Sequence, residues 1–193
     1  MFPLNVPNLL TLIRILLVPV LVVVLLQATP HGSWVAAAVF ALAAITDTLD
    51  GYLARSRRSV TTFGKVMDPI ADKLLIAAAL ISLVSVGRVA PWAAMVIIAR
   101  EFAVSGLRGA AGQQGAIIPA NRLGKVKTVL QVAMVLTLIA AHHPHAWWVH
   151  LLVYVTVAVT AGSGASYFLN FRKSIEEARE RLVRERLAAA GRD

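Results

Sequence analysis

The chain has 193 residues, 58% of them hydrophobic and only 15% charged, with a mean hydropathy of +0.72; soluble domains carry about 25% charged residues, so the composition excludes an ordinary soluble protein and points to a membrane protein. It holds no cysteine, which excludes disulfides, thiolate zinc sites and thiol nucleophiles and leaves oxygen or histidine as the ligands of any metal. We read the formal charge of +9 as membrane topology and attraction to anionic lipid, with no nucleic-acid partner, because so few polar residues would leave a nucleic-acid-binding protein insoluble.

Apolar runs recur at 9–27, 33–54, 70–86, 90–107, 126–141 and 147–169. A helix needs about 20 residues, or about 17 at the short end, to cross the hydrocarbon core. The runs therefore predict an all-α polytopic membrane protein with six transmembrane helices. The first run is interrupted by Arg14, is long for a signal peptide and is followed by no small-x-small cleavage site, so it is expected to stay as a membrane helix. Punctuated connectors separate the runs: QATPHGS at 27–33, the Arg-rich 55–65, VGRVAP at 86–91, a Gly-rich stretch at 108–124 and HHPHA at 142–146.

With both termini on one side, that side's connectors hold Arg55, Arg57, Arg58, Lys65, Arg108, Arg122, Lys125 and Lys127, whereas the opposite connectors hold only Arg88. The positive-inside rule then places both termini in the cytoplasm of a multi-pass protein of the cell (inner) membrane. From Arg172 the composition turns to mixed charge, with Ile175, Ala178, Leu182 and Leu187 roughly on one helical face. The expected organisation is a transmembrane domain over 1–170 and a solvated or interfacial helix over 171–193. His142, His143 and His145 adjoin Trp147 and Trp148 and read as interfacial residues beside an aromatic belt. The GSGAS segment at 162–166 supplies small residues for close helix packing.

Four aspartates stand out against this background. If 47–55 is helical, Asp47, Gly51 and Ala54 form one stripe, flanked by Asp50 and Arg55. Gly64, Asp68 and Asp72 repeat at four-residue steps and share a face of a second helix, with Pro69 expected in its first turn, where a missing N–H costs nothing. One charge at the centre of a membrane helix costs about 2.5–3.5 kcal/mol, so four carboxylates need compensation. Helix capping and arginine pairing would explain any one of them. Two converging pairs fit divalent cations better, and oxygen donors without Cys or His select Mg2+ or Mn2+. Four carboxylates can hold two such ions, an arrangement suited to in-line displacement at phosphorus. Gly51 and Ala54 clear space beside them, and Arg55 offers a planar donor fork to a phosphate.

Residues 47–72 read D-x-x-D-G-x-x-A-R-x8-G-x-x-x-D-x-x-x-D, and at every fixed position this resembles the signature of the CDP-alcohol phosphatidyltransferases. The resemblance implies an integral membrane enzyme, usually a homodimer, that transfers a phosphatidyl group from a CDP-linked lipid to an alcohol and releases CMP. It implies metal ligation by Asp47, Asp50, Asp68 and Asp72, proton abstraction from the acceptor hydroxyl by Asp72, and a CDP site formed by Asp50, Gly51, Ala54, Arg55 and Gly64, in a polar cavity open to the cytoplasm. Two further stretches, NVPNLLTLIRILLVP at 5–19 and REFAVSGLRGAAGQQGAIIPANRLGKVKTVLQ at 100–131, resemble the phosphatidylglycerophosphate synthase branch, which implies CDP-diacylglycerol and sn-glycerol 3-phosphate as substrates.

An acceptor bearing a phosphate needs cations at the cytoplasmic face, and Arg108, Lys125 and Lys127 stand there beside Gly109, Gly112 and Gly115. Ordinary positive-inside charge explains each of the three equally well. Arg100 and Glu101 interrupt an apolar run and are expected to face the bundle interior, as an ion pair or with Arg100 on the acceptor phosphate. Arg14 has the same standing, with snorkelling to the membrane surface as its alternative. Rival readings are a family member using inositol phosphate, serine or another lipid's hydroxyl, a divalent-cation transporter, and a purely structural membrane subunit.

Overall fold

The computed structural model describes residues 6–27, 29–56, 62–113 and 122–190; Arg57, Arg58 and Gly115 lie outside them. Among the described residues the chain is all-helical, with six helices: α1 (Val6–Leu26), α2 (Pro30–Ser56), α3 (Thr62–Ser85), α4 (Pro91–Gln113), α5 (Arg122–Ala140) and α6 (Trp147–Ala190). Each overlaps one predicted apolar run, although α3 begins before its run, at Thr62, and α6 continues past its run to Ala190. Two of them, α1 from Asn8 to Leu26 and α6 from Trp147 to Leu169, are long and apolar enough to cross a membrane. The others include charged residues within their length, such as Asp68, Asp72 and Lys73 in α3 and Arg100 and Glu101 in α4.

Helical periodicity decides which face each helix buries. Along α1 the buried side chains are Asn8, Thr11, Arg14, Val18, Leu21 and Leu25, at steps of three or four, while Leu9, Leu12, Ile13, Leu16, Val20 and Val23 are exposed. Beside Asn8, Thr11 and Arg14, then, the polar residues lie inside and the leucines outside. That inversion of the soluble pattern suits a surface solvated by lipid. On α6 the buried stripe runs Val149, Val153, Thr156, Thr160, Ser163 and Tyr167. Both stripes are apolar at one end and polar at the other. In α5 the same division separates Lys127 and Gln131 from Met134, Val135, Leu138 and Ile139.

The helices form two groups of three. α1 packs on both α2 and α3, α6 packs on both α4 and α5, and contacts of α2 with α5 and of α3 with α4 join the groups. In lipid, association of helices rests on close packing more than on apolar burial. Fully buried Ala36, Ala43, Ala71, Ala79 and Ala93 let the backbones approach, and Phe40, Leu75, Leu80, Leu83, Ile97 and Met134 fill the space between them.

Arg88 organises the apolar end of the bundle. At the end of α3 the Gly87 N–H bonds to Val84 O at 3.0 Å and the Arg88 N–H to Leu83 O at 2.9 Å, with Gly87 at φ 71°. This Schellman turn needs a left-handed residue, which glycine supplies without a Cβ penalty. Arg88 is thereby aimed at the C-terminus of α5, where its Nη1 donates to Leu138 O at 2.9 Å and Ile139 O at 2.7 Å, while Nη2 donates to Ser33 Oγ of α2 at 3.3 Å. One cation thus satisfies carbonyls that a helix end leaves open. Nearby, His145 stacks on His150 with ring centroids 6.0 Å apart, and Trp147 and Trp148 are exposed.

One expectation about local structure needs correcting. Pro69 is not in the first turn of its helix, because α3 starts at Thr62 and Pro69 lies inside it. Proline there deprives the Lys65 carbonyl of its helical donor. The Pro69 carbonyl itself accepts a bond from Lys73 Nζ at 2.8 Å. At the other end of the chain, α6 runs without interruption from Trp147 to Ala190, so the charged tail continues the helix of the last apolar run.

Candidate active site

The polar ends of the buried stripes meet at the end of the bundle opposite Arg88. On α3, Gly64, Asp68 and Asp72 fall on one face of a continuous helix; Gly64 is buried and both aspartates are half-buried. Thr11 of α1, itself fully buried, donates to Asp68 Oδ1 at 2.5 Å. Asp72 lies within the electrostatic reach of Lys127, Glu101, Lys73 and Arg14. α2 is helical through Asp47, Asp50, Gly51, Ala54 and Arg55, so the spacing that predicts one stripe for Asp47, Gly51 and Ala54 holds for the backbone. The side chains of these five residues lie outside the described residues.

Arg14 corrects the snorkelling alternative. It is wholly buried, and its Nε donates to the carbonyl of Ala43 on α2 at 3.3 Å. Ala43 lies one turn before Asp47, so this bond ties the polar part of α1 to the helix that carries the first two aspartates. A buried guanidinium is tolerated where opposite charge and carbonyl oxygens surround it. Here the charge is acidic: Arg14 acts electrostatically on Asp72.

A second cluster stands beside the aspartates, built by α4, α5 and α6. Glu101 Oε1 accepts bonds from Arg100 Nη1 at 3.2 Å, from Gln131 Nε2 at 3.4 Å and from Lys127 Nζ. Lys127 and Gln131 come from the buried stripe of α5, one turn apart. Arg100 Nη2 also donates to Ser163 Oγ of α6 at 2.7 Å. Arg108 donates to the Tyr167 hydroxyl, and its guanidinium carbon lies over the Tyr167 ring, 4.9 Å from the centroid. Arg100, Glu101 and Arg108 all come from α4 and fall within about 100° of one another around it, because Arg108 follows the other two by about two turns.

Of the cations expected to meet an acceptor phosphate, the fold gathers Arg100, Arg108 and Lys127. Lys125 is exposed and stands about 200° around α5 from Lys127, outside the cluster. Four residues here were not singled out from the sequence as site residues: Tyr167, Ser163, Gln131 and Thr11. The signal existed in the register, because Ser163 and Tyr167 continue the stripe of Thr156 and Thr160, and Gln131 follows Lys127 by one turn.

The donor chemistry fits hard divalent cations. Asp68 and Asp72 offer only oxygen, at one-turn spacing, and the Thr11 hydroxyl orients one carboxylate as an outer-shell partner does in metal sites. Among the described residues no group of three metal-type side chains forms.

The sequence model of the CDP-alcohol phosphatidyltransferase family matches residues 4–161. The chain is also similar to curated bacterial relatives called CDP-diacylglycerol–glycerol-3-phosphate 3-phosphatidyltransferase. The Bacillus subtilis protein is 39% identical over 180 residues, covering 85% of this chain and 93% of the relative. The Rickettsia felis protein is 37% identical over 174 residues, covering 88% and 96%, and the Pseudomonas fluorescens protein is 38% identical over 165 residues, covering 82% and 83%. A match of this extent, spanning the aspartates of α2 and α3 and the ion-pair cluster of α4 and α5 alike, makes the chain a member of the CDP-alcohol phosphatidyltransferase family.

Proposed function

We propose that the protein transfers the phosphatidyl group of CDP-diacylglycerol to sn-glycerol 3-phosphate, giving phosphatidylglycerophosphate and CMP. The observation that carries the acceptor is the cluster around Glu101. Arg100, Arg108 and Lys127 bring three positive charges and Glu101 one negative, an excess of two. A phosphate monoester carries about −1.5 to −2 at neutral pH, so the cluster matches the phosphate of glycerol 3-phosphate in charge. A neutral or zwitterionic alcohol such as serine would leave that excess unmatched, above all at buried Lys127 and half-buried Arg100. The relatives' names support the same acceptor.

Asp47, Asp50, Asp68 and Asp72 would hold two divalent cations, Mg2+ or Mn2+. Such ions, when bound, supply positive charge to the diphosphate and acidify a nearby hydroxyl. Asp50, Gly51, Ala54, Arg55 and Gly64 bind the cytidine diphosphate, with the small residues admitting it to the helix surface and Arg55 offering paired donors. Arg100, Arg108 and Lys127 hold the acceptor phosphate, and exposed Lys125 adds to the field that draws it in. Asp72 accepts the proton of the primary hydroxyl. The freed oxygen attacks the phosphorus bearing diacylglycerol, a new P–O bond forms, and the bond to CMP breaks.

The membrane arrangement follows the same logic. All six helices cross the bilayer, both termini lie in the cytoplasm of the inner membrane, and the carboxylate end opens there as a polar cavity, so that lipid tails stay in the bilayer while water-soluble substrates arrive from the cytoplasm. The exposed leucines of α1 and the placement of Arg100, Arg108, Lys125 and Lys127 at one end support this reading. A cation path would instead distribute carboxylates through the depth of the bilayer, whereas Asp68 and Asp72 are one turn apart.

The test is CMP release by purified protein given CDP-diacylglycerol. Release is expected with glycerol 3-phosphate, not with serine or inositol phosphate, and is expected to stop with chelator and return with Mg2+ or Mn2+. Turnover with another acceptor alone would remove the glycerol 3-phosphate assignment, and release indifferent to chelator would remove the metals.

A further inference from the structure

We infer that α6 sets the affinity for the acceptor: Ser163 and Tyr167 are positioning residues that hold Arg100 and Arg108 in the geometry that receives the acceptor's phosphate. The inference rests on the acceptor reading above. It adds two residues from a helix that carries none of the aspartates and none of the cations.

Arg100 and Arg108 come from the same helix, two turns apart, and carry like charge. Left to themselves, two long side chains of like charge on one side of a helix would separate and explore many rotamers. Tyr167 prevents this. It is buried at 4% exposure, and its ring lies under both guanidinium groups, 5.7 Å from the carbon of Arg100 and 4.9 Å from that of Arg108. A ring face attracts a cation at such distances, and more strongly where water is scarce. The phenol oxygen also accepts a bond from Arg108 Nη2. One side chain thus anchors both cations.

Ser163 completes the arrangement one turn earlier on α6. Fully buried, it accepts a bond from Arg100 Nη2 at 2.7 Å, while Nη1 of the same guanidinium bonds Glu101. The plane of Arg100 is therefore fixed from two sides. Gly164 leaves the room this requires, since a Cβ there would come within 3.0 Å of Arg100 Cγ. Ser163, Gly164 and Tyr167 sit where α6 packs against α4, so the register of the two helices determines where the arginines stand. Prepaid ordering of this kind appears in affinity for the ligand that the cations meet, and leaves the chemical step alone.

The experiment is steady-state kinetics of purified variants, with both substrates varied. Tyr167→Phe keeps the ring and removes the phenol oxygen; its KM for glycerol 3-phosphate is expected to rise about five- to tenfold. Tyr167→Leu removes both contacts and is expected to raise it further. Ser163→Ala is expected to raise it about fivefold, with recovery in Ser163→Thr, which restores a hydroxyl. In each case kcat and the KM for CDP-diacylglycerol are expected to stay within about twofold of the parent, a split that general loosening of the bundle would not produce. Wild-type KM for glycerol 3-phosphate in Tyr167→Phe and Ser163→Ala, or an equal rise for both substrates, would overturn the inference. Arg100→Gln and Arg108→Gln separate this from failure of the acceptor reading. If those two leave the KM for glycerol 3-phosphate unchanged, the phosphate binds elsewhere and both proposals fall; if they raise it while the α6 variants do not, only the role of α6 falls.

Discussion

Thr11 of α1 donates a hydrogen bond to Asp68 Oδ1 of α3 across 57 positions of sequence, at 2.5 Å. A hydroxyl that points at an ionised carboxylate fixes which of its oxygens faces the rest of the site, and outer-shell partners of this kind typically change metal affinity by about 10–100-fold when removed. Thr11→Val keeps the side chain's shape and deletes the donor. The Mg2+ concentration giving half-maximal CMP release is therefore expected to rise about tenfold, with the rate at saturating Mg2+ close to that of the parent. A metal titration of the two proteins side by side checks this, and coincident curves would exclude Thr11 from the metal site.

Glu101 makes a different kind of contribution. It is the common acceptor for Arg100, Lys127 and Gln131, and Lys127 is buried. Removing one partner of a buried ion pair leaves the other charge unmatched, at a cost of about 3–5 kcal/mol. Glu101→Gln is expected to lower stability by roughly 3 kcal/mol, read as the thermal unfolding midpoint in detergent micelles. Adding Lys127→Met to that variant is expected to restore part of the loss, because it removes the stranded cation. If the double variant is no more stable than the single one, the ion pair is not the source of the effect.

The helices were legible in the sequence because the length of an apolar run is a local property. Their registers were legible only where a chemical pattern repeats, as Gly64, Asp68 and Asp72 do. Pro69 misled because a proline beside an aspartate reads as a helix start, whereas the chain continues the helix back to Thr62 through it. Tyr167 carried no signal of its own: a tyrosine in an apolar run reads as filler or as an interfacial anchor, and its role depends on Arg100 and Arg108, which lie 67 and 59 positions away. Ser163 and Gly164 read as packing residues for the same reason, and the packing they provide turns out to be against Arg100. Arg14 was ambiguous because hydropathy records that an arginine interrupts a span but not which way it faces; only the surrounding helices decide that.

Arg88 offers a control from the opposite end of the bundle. Its guanidinium donates to Leu138 O, Ile139 O and Ser33 Oγ, and it touches none of the site residues. Hydrogen bonds made by a charged group contribute about 1.5–3 kcal/mol. Arg88→Met, which preserves length and removes the donors, is expected to cost about 2 kcal/mol of stability while leaving both KM values unchanged in the protein that remains folded. Thermal unfolding and kinetics on the same preparation test the separation. A selective rise in the KM for glycerol 3-phosphate would mean that the α5 terminus communicates with Lys127.

Asp72 is where the enzymatic and structural readings part most sharply. It shares a helix face with Asp68, is half-buried and sits in the field of Lys127, Glu101, Lys73 and Arg14, so a carboxylate there belongs to a charge network whether or not it does chemistry. Asn at this position keeps size and hydrogen-bonding capacity but cannot take up a proton at neutral pH. If Asp72 only neutralises its neighbours, Asp72→Asn leaves turnover largely intact. As base and metal ligand its loss is expected to reduce CMP release by about a thousandfold, within the range of about 100–10,000-fold typical of general acid–base groups. The measurement requires a variant shown to be folded by its thermal midpoint, so that lost turnover cannot come from lost protein. A folded Asp72→Asn protein that turns over at more than about a tenth of the parent rate would remove Asp72 from the chemical step.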